Sequence, residues 1–395
     1  MGPHSKKEYM ETIYLRYKRA TKRAEKSALI TELCVTCDWH RKHAIRALKN
    51  FKRFTKPRAK KCGKPSLYNI PSVIEPLKRI WIASGQPCSK LLKPTIRLWL
   101  PYYAQEFGGL KLSAVKALLK ISPATIDRVF KSIRIQYTKR GRSTTKPGTL
   151  LRKSIPIKTN QWDETRPGYL EADTVAHCGD SIEGMFVYTL DLVDIATGWT
   201  EQRAVWGKGE AGVLEQIKNV QTILPFPLKG FDCDNGGEFI NHHLIRHFGS
   251  KVKPVQFTRS RPYRKDDNAH VEQKNWTHVR QWFGYHRLEN QKIVPLMNNL
   301  YTNEWRLFHN FFCPSVKLIE KKRVASKIYK RYDVPKTPYQ RVMESKGVLP
   351  VQKQVLKEQF KDLNPFQLRK TMEKKLQEIF NIHFGRRNSY PGLLR

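Results

Sequence analysis

The sequence feature that most constrains the fold is the segment 231–241, Phe-Asp-Cys-Asp-Asn-Gly-Gly-Glu-Phe-Ile-Asn. Its first residues alternate between apolar and polar, which predicts a short β-strand, and Asn235-Gly236-Gly237 is a turn signal that ends it. Asp234 therefore lies at the C-terminal end of a strand. Ligands and catalytic groups gather at that edge in open α/β sheets. Alone, the segment fits a solvated loop equally well, so its meaning depends on the rest of the chain.

Two further segments place acidic residues in comparable positions. Upstream, Glu171-Ala172-Asp173-Thr174 lies inside a predicted strand, and downstream the stretch 267–275 opens a predicted helix. The hydrophobic pattern around them predicts strands at 169–175, 184–192 and 197–205, a helix at 211–224, a strand at 228–234, a helix at 241–248, a strand at 253–258 and a helix at 268–283.

The charge of the chain indicates the class of its partner. The 395 residues carry a formal net charge of +40, and residues 1–160 alone hold 37 Lys and Arg against 8 Asp and Glu. Such an excess is typical of proteins that bind a polyanion, most often nucleic acid. Charge alone does not separate DNA from RNA, although no RNA-recognition signature is present.

The first 55 residues are predicted to form a helix-turn-helix module. A helix at 27–34, a turn that ends at Asp38 as N-cap, and a second helix at 39–49 give that pattern. The expected inner face of the second helix is formed by Trp39, Ala44, Ile45 and Leu48. Its outer face offers cations suited to DNA, or alternatively to a solvated surface: Arg41, Lys42, Arg46 and Lys49.

A second helical module is expected at 65–137. Helices are predicted at 71–83 and 91–103, and then a second helix-turn-helix pattern in which Ser122 caps a helix that starts at Pro123. Arg128 and Lys131 are on its basic face. A basic linker at 138–164 follows, the catalytic core is expected at 165–290, and a helical region at 291–395 fits either DNA or a second protomer.

The acidic segments point to phosphodiester chemistry. Two divalent cations that activate such chemistry lie roughly 3.5–4 Å apart and need carboxylates from separate elements that meet at one sheet end. Asp173, Asp234 and Glu272 fit that requirement. Spacing alone does not choose them over other acidic residues near the same elements, namely Glu171, Asp191, Asp194, Asp232, Asp266 and Asp267.

Taken together, the three segments resemble the catalytic domain of DDE insertion-sequence transposases and retroviral integrases. The resemblance covers about residues 165–290 and rests on 171–174, on Asp234-Asn235-Gly236-Gly237-Glu238-Phe239, and on Glu272 in the stretch 267–275. In that family the Asp before Asn-Gly is catalytic, which implies Asp234 rather than Asp232. The His-His-Cys-Cys zinc module of viral integrases is not recognisable, so the chain is more similar to the transposases.

The resemblance implies an α/β fold. We expect a ribonuclease-H-like core, with a mixed five-stranded sheet flanked by helices, all-α helix-turn-helix modules before it and a mainly helical region after it. Asp173, Asp234 and Glu272 would be catalytic and would bind two Mg²⁺ or Mn²⁺ ions. Beside them Arg264, Lys265 and Lys274 would contact DNA, although each also fits ordinary surface charge.

The implied function is that of a DNA transposase. It would bind the terminal inverted repeats of an insertion sequence, cleave DNA at a 3′ end and transfer that end into target DNA, as a homodimer or higher oligomer on double-stranded DNA. The alternatives are a domesticated DNA-binding repressor and a metal-dependent nuclease without joining activity. With no apolar run long enough for a membrane span, no signal peptide and seven scattered Cys, we expect a cytoplasmic, nucleoid-associated bacterial protein without membrane contact.

Overall fold

The computed structural model of the protein describes residues 2–51, 66–135, 137, 164–234, 236–239, 241–250, 254–259, 269–324 and 326–385. The chain divides into two compact units, Met1–Pro65 and Ser66–Arg395. Almost all of the expected basic linker at 138–164 lies outside the described residues, as do Asn235, Arg264 and Lys265.

The first unit is helical, as its sequence predicts. It contains α1 (Pro3–Arg19), α2 (Arg23–Cys37) and α3 (Arg41–Lys49), whose apolar sides meet in a small core. The turn between α2 and α3 differs in detail from the prediction. Asp38 ends α2 in the left-handed conformation (φ 53°), which Asp adopts more readily than most residues, and His40 caps α3 instead. Ile45 is also exposed, not part of the inner face.

The second unit opens with helices α4 (Pro71–Ala83), α5 (Ser89–Phe107), α6 (Leu112–Lys120) and α7 (Pro123–Ile135). The predicted cap of α7 is confirmed, since Ser122 Oγ accepts a hydrogen bond from the Thr125 amide (3.2 Å). These helices are not separate from the rest of the unit. The indole of Trp99 on α5 donates to the carbonyl of Phe312 (3.2 Å), and residues of α4–α7 share one hydrophobic core with the sheet and the C-terminal helices.

The sheet of the second unit has the expected mixed topology. Its strands are β1 (Tyr169–Ala176), β2 (Val187–Asp194), β3 (Thr200–Trp206), β4 (Gly230–Cys233) and β5 (Gln256–Arg259). In the described residues they pair in the order β3-β2-β1-β4-β5. Strand β2 is antiparallel to both of its neighbours, β1 and β3, whereas β4 is parallel to both β1 and β5. Helices α8 (Glu210–Ile223) and α9 (His242–Gly249) lie in the β3–β4 and β4–β5 connections. This confirms the predicted ribonuclease-H-like fold class.

Helical segments after β5 cover the second face of the sheet. The first comprises α10 (Ala269–Lys274), a π-helical turn (Asn275–Arg280) and α11 (Gln281–Phe283). The second comprises α12 (Ile293–Leu300), another π-helical turn (Tyr301–Trp305) and α13 (Arg306–Phe312). π-Helical turns are rare and are frequently found at functional sites.

Two asparagine amides satisfy the open edge of the sheet at β3. The side chain of Asn310 accepts from the Thr200 amide (2.9 Å) and donates to the Thr200 carbonyl (2.8 Å). Asn298 does the same for Ala204, at 2.7 and 2.9 Å. Because an unpaired strand edge invites pairing with another chain, these contacts end the sheet at β3.

The C-terminal region departs from the prediction at one place. The basic segment after residue 317 is not helical but a two-stranded antiparallel ribbon of β6 (Leu318–Val324) and β7 (Lys327–Tyr332). Helices α14 (Pro338–Glu344), α15 (Pro350–Lys361) and α16 (Pro365–Phe384) follow, and the side chain of Asn364 caps α16. No helix in the described parts of the chain is long and apolar enough to cross a bilayer.

Candidate active site

The centre of the candidate site is a pair of carboxylates at neighbouring strand ends, Asp173 and Asp234. Strands β1 and β4 are parallel, and their register pairs Ala172 with Cys233. Asp173 and Asp234 follow directly after that pair, so they lie side by side. Burial, and after it the charge of Asp234, raises the pKa of Asp173 to about 7.

The turn after β4 depends on a glycine. The Gly236 amide donates to Asp234 Oδ1 (2.9 Å). A Cβ atom placed on Gly236 would lie 2.6 Å from Glu238 Oε2 and 2.9 Å from Asp234 Oδ1, both closer than real Cβ contacts. A side chain at this position would therefore require the ends of both carboxylate side chains to shift.

Glu238 is a member of the site to which the sequence pattern assigned no role. It is buried, and its Oε1 accepts from the Thr174 hydroxyl (2.7 Å) and pairs with Lys208 Nζ (3.0 Å). Burial, and then the charge of Glu238, raises the pKa of Asp234. The position of Glu238 directly after the Gly-Gly turn was the only local sequence signal that it belongs to the site. Its partners Lys208 and Thr174 lie in distant segments, so no local pattern predicts these contacts.

The π-helical turn that follows α10 brings a further side chain to the pair. The side-chain amide of Asn275 donates to Asp173 Oδ2 (2.6 Å). Glu272 lies one turn earlier on the same side of this helix, because positions three apart are neighbours on a helix surface. It is exposed, and among the described residues no three His, Cys, Asp or Glu side chains come together to hold a metal ion. The role of Glu272 thus stays a prediction.

Two of the competing acidic residues have structural partners. Glu171 is buried, and its Oε2 accepts from the His270 and Val271 amides, both at 3.1 Å, at the first turn of α10. Burial raises the pKa of Glu171 to about 8. Asp232 is buried and accepts from the hydroxyl of Thr258 on β5. Both therefore fix neighbouring elements to the sheet.

The remaining alternatives are also placed by the structure. Asp191 is fully buried and accepts from Gln202 (2.8 Å). Asp194 accepts from the Thr197 amide and hydroxyl, at 2.8 and 2.6 Å, and so shapes the β2–β3 turn. Asp266 and Asp267 lie outside the described residues.

The expected phosphate contact of Lys274 is not supported. Its side chain is buried, and burial lowers its pKa while the charge of Asp191 opposes that effect. Lys274 thus serves as a counter-charge beneath the helix and not as an open cation. The other described candidates for DNA contact are exposed, namely Arg41, Lys42, Arg46, Lys49, Arg128 and Lys131.

The donor set of the carboxylate pair fits a hard divalent cation. Carboxylate oxygens are the ligands preferred by Mg²⁺ and Mn²⁺. Without a cation, Asp173 and Asp234 repel each other, and Glu238 adds to that repulsion at Asp234. A divalent cation between Asp173 and Asp234 would turn this repulsion into attraction.

Comparison with known proteins identifies a relative over most of the chain. A protein of Sinorhizobium fredii (strain NBRC 101917 / NGR234), described as "Uncharacterized protein y4rM", is 38% identical over 338 residues, which are 85% of this chain and 94% of the relative. The chain belongs to the y4rM family. No protein-family model matches it.

Solved structures similar to this y4rM-family chain include two catalytic cores. The core domain of BIV integrase aligns with a TM-score of 0.30 and 12% identity, over 49% of this chain and 98% of that one. The HTLV-2 integrase core in complex with magnesium aligns with a TM-score of 0.28 and 12% identity, over 38% of this chain and 91% of that one. The fold class rests on the strand order and connections described above.

Substitution of Gly236 by alanine tests the close approach of the two carboxylates. Because the new methyl group would collide with Asp234 and Glu238, we expect Gly236→Ala to lower the free energy of unfolding by roughly 1–3 kcal/mol. Urea denaturation measures the change. Gly237→Ala is the matched control, since a Cβ there meets no atom within 4 Å. Equal stability of the two variants would contradict the described turn.

The raised pKa of Asp173 predicts that the placement of Asp173 beside Asp234 lowers the free energy of unfolding in a pH-dependent way. The folded chain holds a proton on Asp173 that the unfolded chain releases, so this contribution to stability is lost as the pH rises through about 7. In chelator-treated protein near pH 8, we therefore expect Asp173→Asn to raise the free energy of unfolding by roughly 1 kcal/mol. At about pH 5 the gain should shrink. If the free energy of unfolding of Asp173→Asn and of the parent chain changes with pH in the same way, the repulsion is absent. Asp180→Asn, at an exposed position, is the control.

Proposed function

We propose that this protein is a metal-dependent polynucleotidyl transferase of the DDE type that acts as a DNA transposase. The observation that carries the proposal is the pairing of Asp173 and Asp234 at the ends of parallel strands in a ribonuclease-H-like sheet. The net charge of +40 supports a nucleic-acid substrate. The y4rM relative is described as uncharacterized, and the HTLV-2 integrase core is described in complex with magnesium.

The proposed metal ligands are Asp173, Asp234 and Glu272, with two Mg²⁺ or Mn²⁺ ions per site. When bound, such ions would increase the reactivity of the attacking oxygen and stabilise the leaving oxygen of an in-line displacement. Glu272 lies one turn before Asn275, which contacts Asp173. Metal binding by all three carboxylates therefore requires the exposed side chain of Glu272 to turn toward Asp173.

Other residues of the chain hold the proposed ligands in position. The amide of Gly236 and the buried Glu238 fix the turn that carries Asp234. Glu171 binds the backbone at the start of α10 and so places the turn that carries Glu272. Negative side chains stabilise helix N-termini, which adds to this positioning.

The proposed reaction has two steps. Hydrolysis of a phosphodiester bond at the end of the mobile element frees a 3′-hydroxyl group, and that hydroxyl then attacks a phosphodiester bond of the target DNA. Water and the DNA hydroxyl are the nucleophiles, so no covalent protein–DNA intermediate forms. The exposed cations of α3 (Arg41, Lys42, Arg46 and Lys49) and of α7 (Arg128 and Lys131) would bind the element's ends, and joining two ends calls for at least a dimer on DNA.

Substitution of each proposed ligand tests the reaction. We expect Asp173→Asn, Asp234→Asn and Glu272→Gln each to reduce Mg²⁺-dependent strand transfer about a hundredfold or more, because each removes a charge from the metal site. DNA binding, measured by gel shift, should persist in all three variants. The assay uses pre-cut element ends, with the inverted repeats taken from the DNA that flanks the gene.

Asp232→Asn is the matched control, because Asp232 lies two residues before Asp234 but contacts Thr258. We expect it to keep most of the joining activity. Strand transfer that survives in all three ligand variants would overturn the proposal. Cleavage without joining of pre-cut ends would identify a nuclease, and DNA binding without either reaction would identify a repressor.

A further inference from the structure

A basic groove of about 980 Å³ lies beside the candidate active site, between helix α5 and the end of the β6–β7 ribbon. Its lining includes Gln273, which follows the proposed ligand Glu272 in sequence. One side is formed by α5, whose Lys90, Lys93 and Arg97 recur at helical spacing. This groove therefore begins next to the candidate site and leads away from it along cationic side chains.

The opposite side of the groove is formed by the ribbon, which contributes Lys330, Arg331 and Tyr332. Lys330 and Tyr332 are two residues apart on β7, so their side chains project from the same face of the ribbon.

Part of the cationic charge of the groove is uncompensated, although Arg331 pairs with Glu320 (3.2 Å). Among the residues that the structure describes, no carboxylate forms an ion pair with Lys90, Arg97 or Lys330. Burial, and then the charge of Arg97, lowers the pKa of Lys93. Charge of one sign concentrated along a groove attracts a polyanion.

The acidic residues of the lining do not cancel this charge. Asp333 accepts from the guanidinium of Arg341 and from the Lys317 amide (2.6 Å). Glu344 pairs with Lys336 at 2.6 Å. Both carboxylates are thus already neutralised by cations other than those of α5 and the ribbon.

One aromatic side chain and several apolar side chains line the groove together with the cations. Tyr332 is 48% exposed and Val334 is 72% exposed, and the partly buried Leu98 also lines the groove. A cationic groove with exposed aromatic rings is the arrangement by which proteins bind single-stranded nucleic acid, because the backbone follows the cations while the bases stack on the rings.

We propose that the groove between α5 and the β6–β7 ribbon binds a short single-stranded DNA segment next to the site of phosphodiester chemistry. The phosphates contact Lys90, Arg97 and Lys330, and a base stacks on Tyr332. The proposal rests on the proposed function in taking DNA as the ligand and Glu272 as part of the adjacent site. It adds which part of the DNA this surface takes, namely an unpaired strand and not a duplex.

The test measures the binding of a fluorescein-labelled oligothymidylate to the full chain by fluorescence anisotropy. We expect the double variant Arg97→Glu/Lys330→Glu to weaken binding roughly tenfold or more and to flatten its salt dependence. Tyr332→Ala should weaken it roughly five- to tenfold through the loss of stacking. All three side chains are exposed, and thermal unfolding confirms that the variants remain folded.

The matched control is Lys357→Glu/Lys374→Glu, which makes the same change in net charge at exposed positions of α15 and α16. Unchanged oligothymidylate binding in the groove variants, or a loss equal to that of the control, would overturn the proposal. So would a loss from charge reversal without any loss from Tyr332→Ala, since the groove would then attract anions without stacking bases. Competition by duplex DNA at lower concentration than by single strands would likewise contradict it.

Failure of the groove proposal can be distinguished from failure of the proposed transposase function. Asp173→Asn should abolish strand transfer yet bind oligothymidylate as the parent chain does. If the parent chain joins no DNA but groove variants still lose single-strand binding, the transposase proposal fails and the groove proposal stands. If DNA joining depends on Asp173 but the groove variants bind oligothymidylate normally, the transposase proposal stands and the groove proposal fails.

Discussion

The parallel pairing of β1 with β4 is the constraint on which the candidate site depends. Because Ala172 pairs with Cys233, the next residue of each strand is an aspartate, and the sheet places the two carboxylates side by side. A shift of this register by one residue would turn either side chain to the other face. The glycine turn then fixes Asp234 through the Gly236 amide, and a Cβ on Gly236 would require the side chains of Asp234 and Glu238 to shift.

The site therefore concentrates negative charge at the cost of stability. Burial raises the pKa of Asp173, of Glu171 and of Asp191 above the ordinary value for each acid. These groups differ in their partners. Glu171 accepts two backbone amides and Asp191 accepts from Gln202, whereas Asp173 faces Asp234. Strongly shifted acids collect at functional sites, and Asp173 and Asp234 are the acids whose mutual repulsion persists although each also accepts a hydrogen bond, from Asn275 and from the Gly236 amide.

Local patterns in the sequence were sufficient for the central elements of the fold. The alternation around Asp173 and the Gly-Gly turn after Asp234 identified β1 and β4, and their order with the helices identified the sheet topology. Contacts between distant segments were not predictable in this way. The pairing of Glu238 with Lys208, the burial of Lys274 and the contact of Asn275 with Asp173 are all tertiary. The ribbon was not predicted because its many Lys and Arg residues obscure the apolar–polar alternation of a strand. The role of Asp38 was predicted wrongly because Asp is favoured as an N-cap but also adopts the left-handed conformation in which it ends α2.

Binding of Mn²⁺, followed by electron paramagnetic resonance in the absence of DNA, tests the central claim that Asp173 and Asp234 together form a metal site. We expect saturable binding that weakens about tenfold or more in Asp173→Asn and in Asp234→Asn, while Asp232→Asn binds like the parent chain. Equal Mn²⁺ affinity in the parent chain and in both ligand variants would contradict it.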